Sequence, residues 1–321
     1  MKKFTSDSKN LFRFLVETPD HISKMVENFP KLPKPQSVKR VLIGGMGGSA
    51  VSGFIAKEIL KRMIKVPVEV CTEENTPLYN DAETLFIPIS YSGTTKETLT
   101  MVSKFSNAFT AGISSNSDFT EKALTVPSRI PPRFGFFYIF SNLILIMWEL
   151  FKEKKLKRDL INSSKVLEKR VKDFQMDNSL PMDMASFISK PVLIYTPSAL
   201  KGVGYRWKTQ VNENAKHFAF ANYFPELSHN EIVPYINGKS LFNIIMLRSG
   251  WETDSEKAQM DFFKDYTDFE VEVKADSLLD ETLQFVLLGD FFSFYLAVLN
   301  EIDPFPIKLI DRLKSELNKD G

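Results

Sequence analysis

Hydroxyl side chains are concentrated in residues 90–95, which have the sequence Ser-Tyr-Ser-Gly-Thr-Thr. The segment follows a strand-like apolar stretch and precedes a stretch with helical periodicity. Hydroxyl groups and free N–H groups at the start of a helix form a neutral binding site for a phosphate group. One such hydroxyl could serve only as a helix cap, but four serine and threonine hydroxyls are more than a cap requires. We therefore predict a phosphate site that includes Ser90, Ser92 and Thr95.

A second loop, residues 44–50 (Gly-Gly-Met-Gly-Gly-Ser-Ala), also lies between a predicted strand and a predicted helix. Glycines allow the backbone to turn sharply and to approach a ligand closely, and the helix start offers N–H groups to an anion. For this loop alone, a tight turn and a dinucleotide-binding G-x-G-x-x-A motif are alternatives. Ligands bind at the carboxyl ends of strands in an open parallel sheet, where both loops would lie. We expect Gly48 and Ser49 to belong to the same phosphate site.

Three further side chains are candidates for acid–base or electrostatic chemistry: Glu213, His229 and Arg133. Glu213 stands between two asparagines at a predicted helix end, although a helix cap or an ion pair with Lys216 is the alternative. His229 follows a turn-like segment, and a histidine exchanges protons near neutral pH, although a lone histidine is more often structural. Arg133 follows two prolines at a helix start, where a positive charge is unfavourable unless it has a function.

Composition narrows the class of protein. The 321 residues include 41 Lys plus Arg and 40 Asp plus Glu, and this balance argues against a nucleic-acid partner. Cys71 is the single cysteine and the three histidines have no metal-ligand spacing, so we expect no disulfide, no metal and no cofactor. The N-terminal residues lack the apolar core of a signal peptide, so a cytoplasmic location is expected.

Strand and helix signals alternate along the chain, and the alternation restarts near residue 185. Alternation of this kind predicts an α/β fold with mostly parallel sheets flanked by helices. We expect an N-terminal domain in residues 1–152, a helical linker in 153–184 and a C-terminal domain in 185–321. Each half ends in a long apolar helix, residues 134–148 and 285–299. The first is too short to span a membrane, which favours burial in a core or a subunit interface over a membrane partner.

The loop sequences GGMGGSA and ISYSGTTKETL, with AGISSN at 111–116, resemble the sugar isomerase (SIS) domain. Arg133 after two prolines, NENAK at 212–216 and FPELSHNE at 224–231 resemble more closely the bifunctional phosphoglucose/phosphomannose isomerases of archaea and some bacteria. The resemblance implies two doubly wound SIS domains, a homodimer and no metal. It departs from the family at Ser228 and Thr94, where asparagine is usual.

The resemblance also implies an activity and the residues that carry it. The activity would be an aldose–ketose isomerisation of glucose 6-phosphate, and of mannose 6-phosphate, to fructose 6-phosphate through a cis-enediol. Glu213 would be the base for proton transfer between C1 and C2, and Arg133 would hold the substrate or stabilise the enediolate. His229 would open the sugar ring in the partner subunit's active site. Lys314 would contact the substrate, with Lys308 as the alternative.

Other functions are compatible with parts of the pattern. A non-catalytic SIS-domain regulator would bind the same sugar phosphate, but Glu213 and His229 in their motifs argue against it. An amino-sugar synthase would need a glutaminase domain, which the sequence lacks. A dinucleotide-dependent oxidoreductase would leave the hydroxyl loop at 90–95 unexplained.

Overall fold

Two parallel β-sheets, each flanked by helices, organise the computed structural model, which describes residues 4–72, 80–237 and 241–317. The structure therefore has the α/β fold that the alternation of strand and helix signals predicts. In chain order, the α-helices and strands are α1 (Phe12–Val16), α2 (Thr18–Glu27), β1 (Arg40–Gly45), α3 (Gly48–Leu60), β2 (Val68–Cys71), β3 (Thr84–Ile89), α4 (Lys96–Lys104), β4 (Phe109–Thr110), β5 (Ile113–Ser114), β6 (Leu124–Thr125), α5 (Phe136–Phe151), α6 (Lys154–Phe174), α7 (Leu180–Phe187), β7 (Val192–Pro197), α8 (Lys201–Asn214), β8 (Ala219–Phe224), β9 (Asn243–Leu247), α9 (Asp254–Phe263), β10 (Phe269–Val271), α10 (Leu278–Leu299) and α11 (Lys308–Leu317).

The N-terminal sheet has the strand order β2-β1-β3-β5-β6, with β4 also paired to β3. All described pairs are parallel, and β3 is buried along its whole length because helices cover both faces. The apolar pattern of residues 109–114 predicts one strand, whereas the structure has two short strands there that both pair with β3. Gly112 lies between them, packed against the side chain of Thr120.

The C-terminal sheet has the order β10-β9-β7-β8 and is also parallel. The sequence pattern predicts a strand over residues 217–221, whereas the edge strand β8 begins at Ala219 and continues to Phe224. His217 lies before β8, with Nε2 2.8 Å from the carbonyl oxygen of Lys190. A structural role for His217 fits this contact.

The long apolar helices lie inside the protein. α10 is long and apolar enough to cross a membrane, but 89% of its most apolar window is buried within the fold, as expected for a core helix. It packs against α6, α7 and α8, and α5 is likewise buried. One large apolar cluster includes buried residues of α1 to α3, α5 to α8 and α10, so the two halves are packed together.

Residues predicted as a helical linker form α6 and α7. One face of α6 is buried against α2, α5 and α10 through Leu156, Leu160 and Leu167.

α8 and α3 approach each other closely at Gly202 of α8. This glycine lies against the backbone of Ile55 in α3, and an added Cβ would lie 2.9 Å from the Ile55 nitrogen. This close approach brings the helix that carries Glu213 next to the first lobe.

Candidate functional site

The hydroxyl loop at residues 90–95 is held by its own hydrogen bonds. Ser90 Oγ donates to Thr95 Oγ1 (3.0 Å) and accepts from the Gly93 amide (3.1 Å). The Thr94 amide and hydroxyl both donate to Ser92 Oγ, at 3.2 and 3.0 Å. Gly93 has φ +73°, and an added Cβ would lie 2.7 Å from Asn116 Cβ, so glycine is required at the turn. The hydroxyls are therefore ordered before any ligand arrives.

The glycine loop lies at the same sheet edge. β1 and β3 are neighbours and Gly45 is in register with Ile89, so residues 46–49 and residues 90–95 leave the sheet side by side. Gly47 has φ +51°, and a Cβ added at Gly47 or Gly48 would meet nothing within 4 Å. The backbone thus faces open space next to the hydroxyl loop, with Ser49 in the first turn of α3. Gly47 also lines a cleft of about 510 Å³ between α3 and α8.

Tyr91 connects the hydroxyl loop to the segment that carries Arg133. Its hydroxyl donates to the carbonyl of Pro127 (2.7 Å) and accepts from the amide of Ile130 (3.1 Å). Its ring packs on Gly135, where an added Cβ would lie 2.9 Å from the ring. Burial raises the pKa of Tyr91, so its hydroxyl remains a neutral donor. Sequence patterns give Tyr91 no separate role, and its place inside the hydroxyl loop is the only local signal for it.

Arg133 is buried, and most of its guanidinium is already engaged. Nε donates to Asn214 Oδ1 at 2.7 Å, and Nη2 donates to the carbonyls of Pro304 and Phe305 at 2.6 and 2.9 Å. Nη1 is left facing Glu213, 3.9 Å from Oε2. Burial lowers the pKa of Arg133, and the charges of Glu213 and Asp311 oppose the shift.

Glu213 lies in the last turn of α8 between two asparagines with fixed contacts. Asn212 Oδ1 accepts from the amide of Ala219 (2.9 Å), and Asn214 points inward to Arg133. The Glu213 side chain is 29% exposed, so it is open to a ligand while its neighbours anchor the helix end. The structure therefore brings Glu213 and Arg133 together.

Lys216 does not occupy the position that an ion pair with Glu213 would require. Its Nζ donates to the carbonyls of Asn214, Asp303 and Pro304, at 3.2, 2.8 and 3.2 Å. Burial, followed by the nearby charge of Arg133, lowers the pKa of Lys216 to about 8. Together with Arg133, Lys216 fixes residues 303–305, a constraint that the sequence analysis missed because the partners are almost 90 residues apart.

His229 lies away from Glu213 in the same chain. Asn212 is hydrogen-bonded at the amino end of β8, whereas His229 ends a short 3-10 helix beyond the carboxyl end of that strand and is exposed. Six strand residues span roughly 20 Å. One chain therefore does not bring the two predicted proton-transfer groups into contact.

The predicted lysines lie on α11, which follows the anchored turn at residues 303–305. Lys308 begins the helix and is exposed. Lys314 lies in the same helix, but its side chain is outside the described part of the structure. The positions of their amino groups relative to Glu213 therefore stay a prediction.

β7 leads into α8 as β1 leads into α3 in the first lobe, but it does so through a short 3-10 helix, Ser198–Leu200, whose first amide is occupied. The Ser198 amide donates to Glu256 Oε1 at 2.8 Å, and the Thr253 amide donates to Oε2 at 2.8 Å. Glu256 is buried, and together these hydrogen bonds outweigh burial and lower its pKa. An internal carboxylate thus lies where the first lobe leaves open space.

In the described ranges, no group of three or more His, Cys, Asp or Glu side chains could hold a metal ion.

Comparison with known proteins identifies the family. A bifunctional phosphoglucose/phosphomannose isomerase of Thermoplasma volcanium is 32% identical over 298 residues, which cover 90% of this chain and 95% of the relative. The chain belongs to this family. A second isomerase of that name, from Caldicellulosiruptor bescii, is 30% identical over 96% of this chain and 98% of its own length.

Two further comparisons concern the fold of this isomerase-family chain. Residues 178–317 match the family described as the bacterial phospho-glucose isomerase C-terminal SIS domain. A crystal structure from Clostridium difficile, provisionally described as a phosphosugar isomerase, superposes with a TM-score of 0.76 at 16% identity, covering 94% of this chain and 97% of that one. The prediction of an SIS-type fold is confirmed.

Proposed function

We propose that this chain interconverts glucose 6-phosphate and mannose 6-phosphate with fructose 6-phosphate by moving a proton between C1 and C2 through a cis-enediol. Family membership supports the reaction class. The assignment to this site rests on the Glu213 carboxylate, whose Oε2 lies 3.9 Å from Arg133 Nη1. Arg133 belongs to a segment that Tyr91 connects to the hydroxyl loop.

The phosphate group is proposed to bind at the two first-lobe loops. Ser49, Ser92 and Thr95 would donate from their hydroxyls, and the Gly48 amide would donate from the start of α3. Ser90 would belong to the same site by holding Thr95 through the hydrogen bond that its own hydroxyl donates. The hydrogen bonds within residues 90–95 support this role, because they order the donors in advance. Binding energy from the phosphate would then position the sugar carbons near Glu213.

Proton transfer is assigned to Glu213, which would take the proton from one carbon and return it to the neighbouring carbon on the same face. Negative charge develops on the substrate oxygens in the enediolate, and Arg133 Nη1 supplies an adjacent positive group. Because Nε and Nη2 are fixed by Asn214 and the 304–305 carbonyls, the guanidinium would need little reorganisation. Lys314 is proposed to contact the substrate from α11.

Ring opening is assigned to His229 of a second copy, in a cytoplasmic homodimer. β8 separates Asn212 from the His229 segment by roughly 20 Å, which supports a site whose histidine comes from a second subunit. An exposed apolar surface at the sheet edge supports self-association, since Phe218 is 76% and Phe220 47% exposed. We also propose residues 1–152 and 185–321 as the two SIS domains, joined by residues 153–184, with neither a nucleic acid nor a membrane as partner.

The test begins with purified protein, fructose 6-phosphate and EDTA, without nucleotide. Glucose 6-phosphate and mannose 6-phosphate are followed separately. We expect both products from the wild type, and Glu213→Gln should lower kcat by about 10²–10⁴-fold because the proton acceptor is lost. Glu168→Gln, on an exposed face of α6, is the matched control and should retain full activity.

Each outcome separates the candidate functions. Glucose 6-phosphate alone would restrict the activity to phosphoglucose isomerisation. Sugar-phosphate binding without turnover by the wild type would contradict the enzyme assignment and favour a sugar-phosphate-binding regulator. A Glu213→Gln variant as active as the control would remove Glu213 from the mechanism.

A further inference from the structure

A closed ring of buried hydrogen bonds begins and ends on Arg133. Its Nε donates to Asn214 Oδ1 (2.7 Å), and Asn214 Nδ2 donates to Ser293 Oγ (3.0 Å). Ser293 Oγ donates to the carbonyl of Asp290 (3.0 Å), whose side chain accepts from Arg206 Nη2 (2.7 Å). Arg206 Nη2 also donates to the carbonyl of Arg133 at 3.1 Å. The ring therefore holds both the side chain and the backbone of Arg133.

All five members are at most 7% exposed, and the helices present them at matching spacings. Arg206, Gln210 and Asn214 lie four residues apart on one face of α8, and Asp290 and Ser293 lie one turn apart on α10. Gln210 Nε2 donates to the second oxygen of Asp290 at 2.9 Å. Polar groups buried this deeply are costly unless satisfied, so the network permits few other arrangements.

We propose that Ser293 and Asp290 of α10 are positioning residues for the isomerase reaction, which act through Asn214 and Arg206 to aim Arg133 beside Glu213. The proposal rests on the proposed function. Neither residue touches the open site, since both are buried under α8.

Only part of the Arg133 guanidinium faces Glu213. Nε and Nη2 are engaged, so only Nη1 faces the Glu213 carboxylate, and rotation about the Nε hydrogen bond would move it away. Lys216 also lies near Glu213, but its amino group is fixed to the carbonyls of Asn214, Asp303 and Pro304. The charge of Asp303 acts on both cations, and that of Asp311 acts on Arg133. The orientation of Nη1 is therefore set by the 304–305 carbonyls and, from α10, by Asn214.

The decisive variant is Ser293→Ala, which removes the acceptor for Asn214 but leaves the Arg206–Asp290 pair intact. We expect kcat for fructose 6-phosphate to fall about tenfold, with KM changed less than about twofold, because phosphate binding lies on other elements. Ser163→Ala is the matched control, since Ser163 is a fully buried serine whose hydroxyl donates to a carbonyl of its own helix, α6. It should show wild-type kcat and KM.

A second readout separates positioning from general loosening of the fold. Inhibition by 5-phospho-D-arabinonate, whose carboxylate mimics the enediolate charge, should weaken about tenfold in Ser293→Ala. Inhibition by D-glucitol 6-phosphate, which carries no such charge, should stay within about twofold of wild type. Asp290→Asn should show the same pattern if this variant folds. If it does not fold, the Ser293→Ala result alone tests the proposal.

Equal weakening of both inhibitors, or an unchanged kcat in Ser293→Ala beside an active wild type, would overturn the positioning role. An inactive wild type in the same assay would instead overturn the proposed function.

Discussion

Single side chains in this fold carry protonation states set by their surroundings, and His21 is the clearest case. It is buried in α2 with its ring stacked on Tyr138, centroids 4.2 Å apart. Burial, and then the charge of Lys24, lowers the pKa of His21 to about 3. The unfolded chain takes up a proton here near pH 6.5, whereas the folded chain does so only near pH 3.

Stability should therefore fall as pH drops through the window from about 6.5 to 3, because the unfolded state binds more protons there. His21→Phe keeps an aromatic ring against Tyr138 and removes the titration. We expect the melting temperature of this variant to decline less steeply than that of the wild type between pH 7 and pH 4. Parallel declines in thermal melts over that range would contradict the assigned pKa.

The residues of the site were only partly predictable from sequence. The hydroxyl loop was predictable because its members are adjacent along the chain and need only a strand before them and a helix after them. The partners of Arg133 were not, because Asn214 and Pro304 are 81 and 171 residues away and only the packing of two lobes joins them. Local patterns describe a loop, whereas a buried network depends on tertiary contacts.

Among the helices, the contact between α3 and α8 depends on Gly202. An added Cβ would lie 2.9 Å from the Ile55 backbone nitrogen, and backbone cannot move aside as a flexible side chain can. Gly202→Ala should therefore lower the free energy of unfolding by roughly 1–3 kcal/mol, as overpacking does. Gly250→Ala is the control, because the nearest atom to its added Cβ lies 3.7 Å away.

Chemical denaturation measures both glycine variants. A Gly202→Ala protein as stable as Gly250→Ala would mean that the two helices separate without cost.

Helix boundaries show which local signals are sufficient. The sequence pattern predicts a polar helix over residues 254–263, and α9 has these limits because Thr253 and Glu256 form a capping box that fixes its start. α10 begins at Leu278, seven residues before the apolar run that suggested it, since buried polar residues such as Asp280 and Glu281 interrupt the apolar pattern of its first turns. Acidic residues inside a core are a tertiary outcome: Glu281 accepts from the Ser249 hydroxyl and the Gly250 amide.

At the scale of the whole molecule, the separation of Glu213 from His229 makes the proposed dimer testable by mixing. Glu213→Gln and His229→Asn proteins should each be nearly inactive alone. If the two residues act from different chains, co-refolding equal amounts should restore about a quarter of wild-type activity, since half of the dimers are mixed and each has one intact site.

No recovery after mixing would place both residues in the same chain's site. A different affinity tag on each variant, followed by purification on both tags in sequence, confirms that hybrid dimers have formed, and wild type mixed with Glu213→Gln provides the calibration.

The hydrogen bond between the Glu256 carboxylate and the Ser198 amide affects how many ligands one chain can bind. The two lobes share an architecture, but in the second lobe the Ser198 amide, in the 3-10 helix before α8, already donates to an internal anion. A titration with sugar phosphate should therefore give a stoichiometry of one per chain, rather than the two that a duplicated fold might suggest. The second lobe keeps the architecture of a binding domain, but its own Glu256 carboxylate takes the amide that a ligand anion would otherwise use.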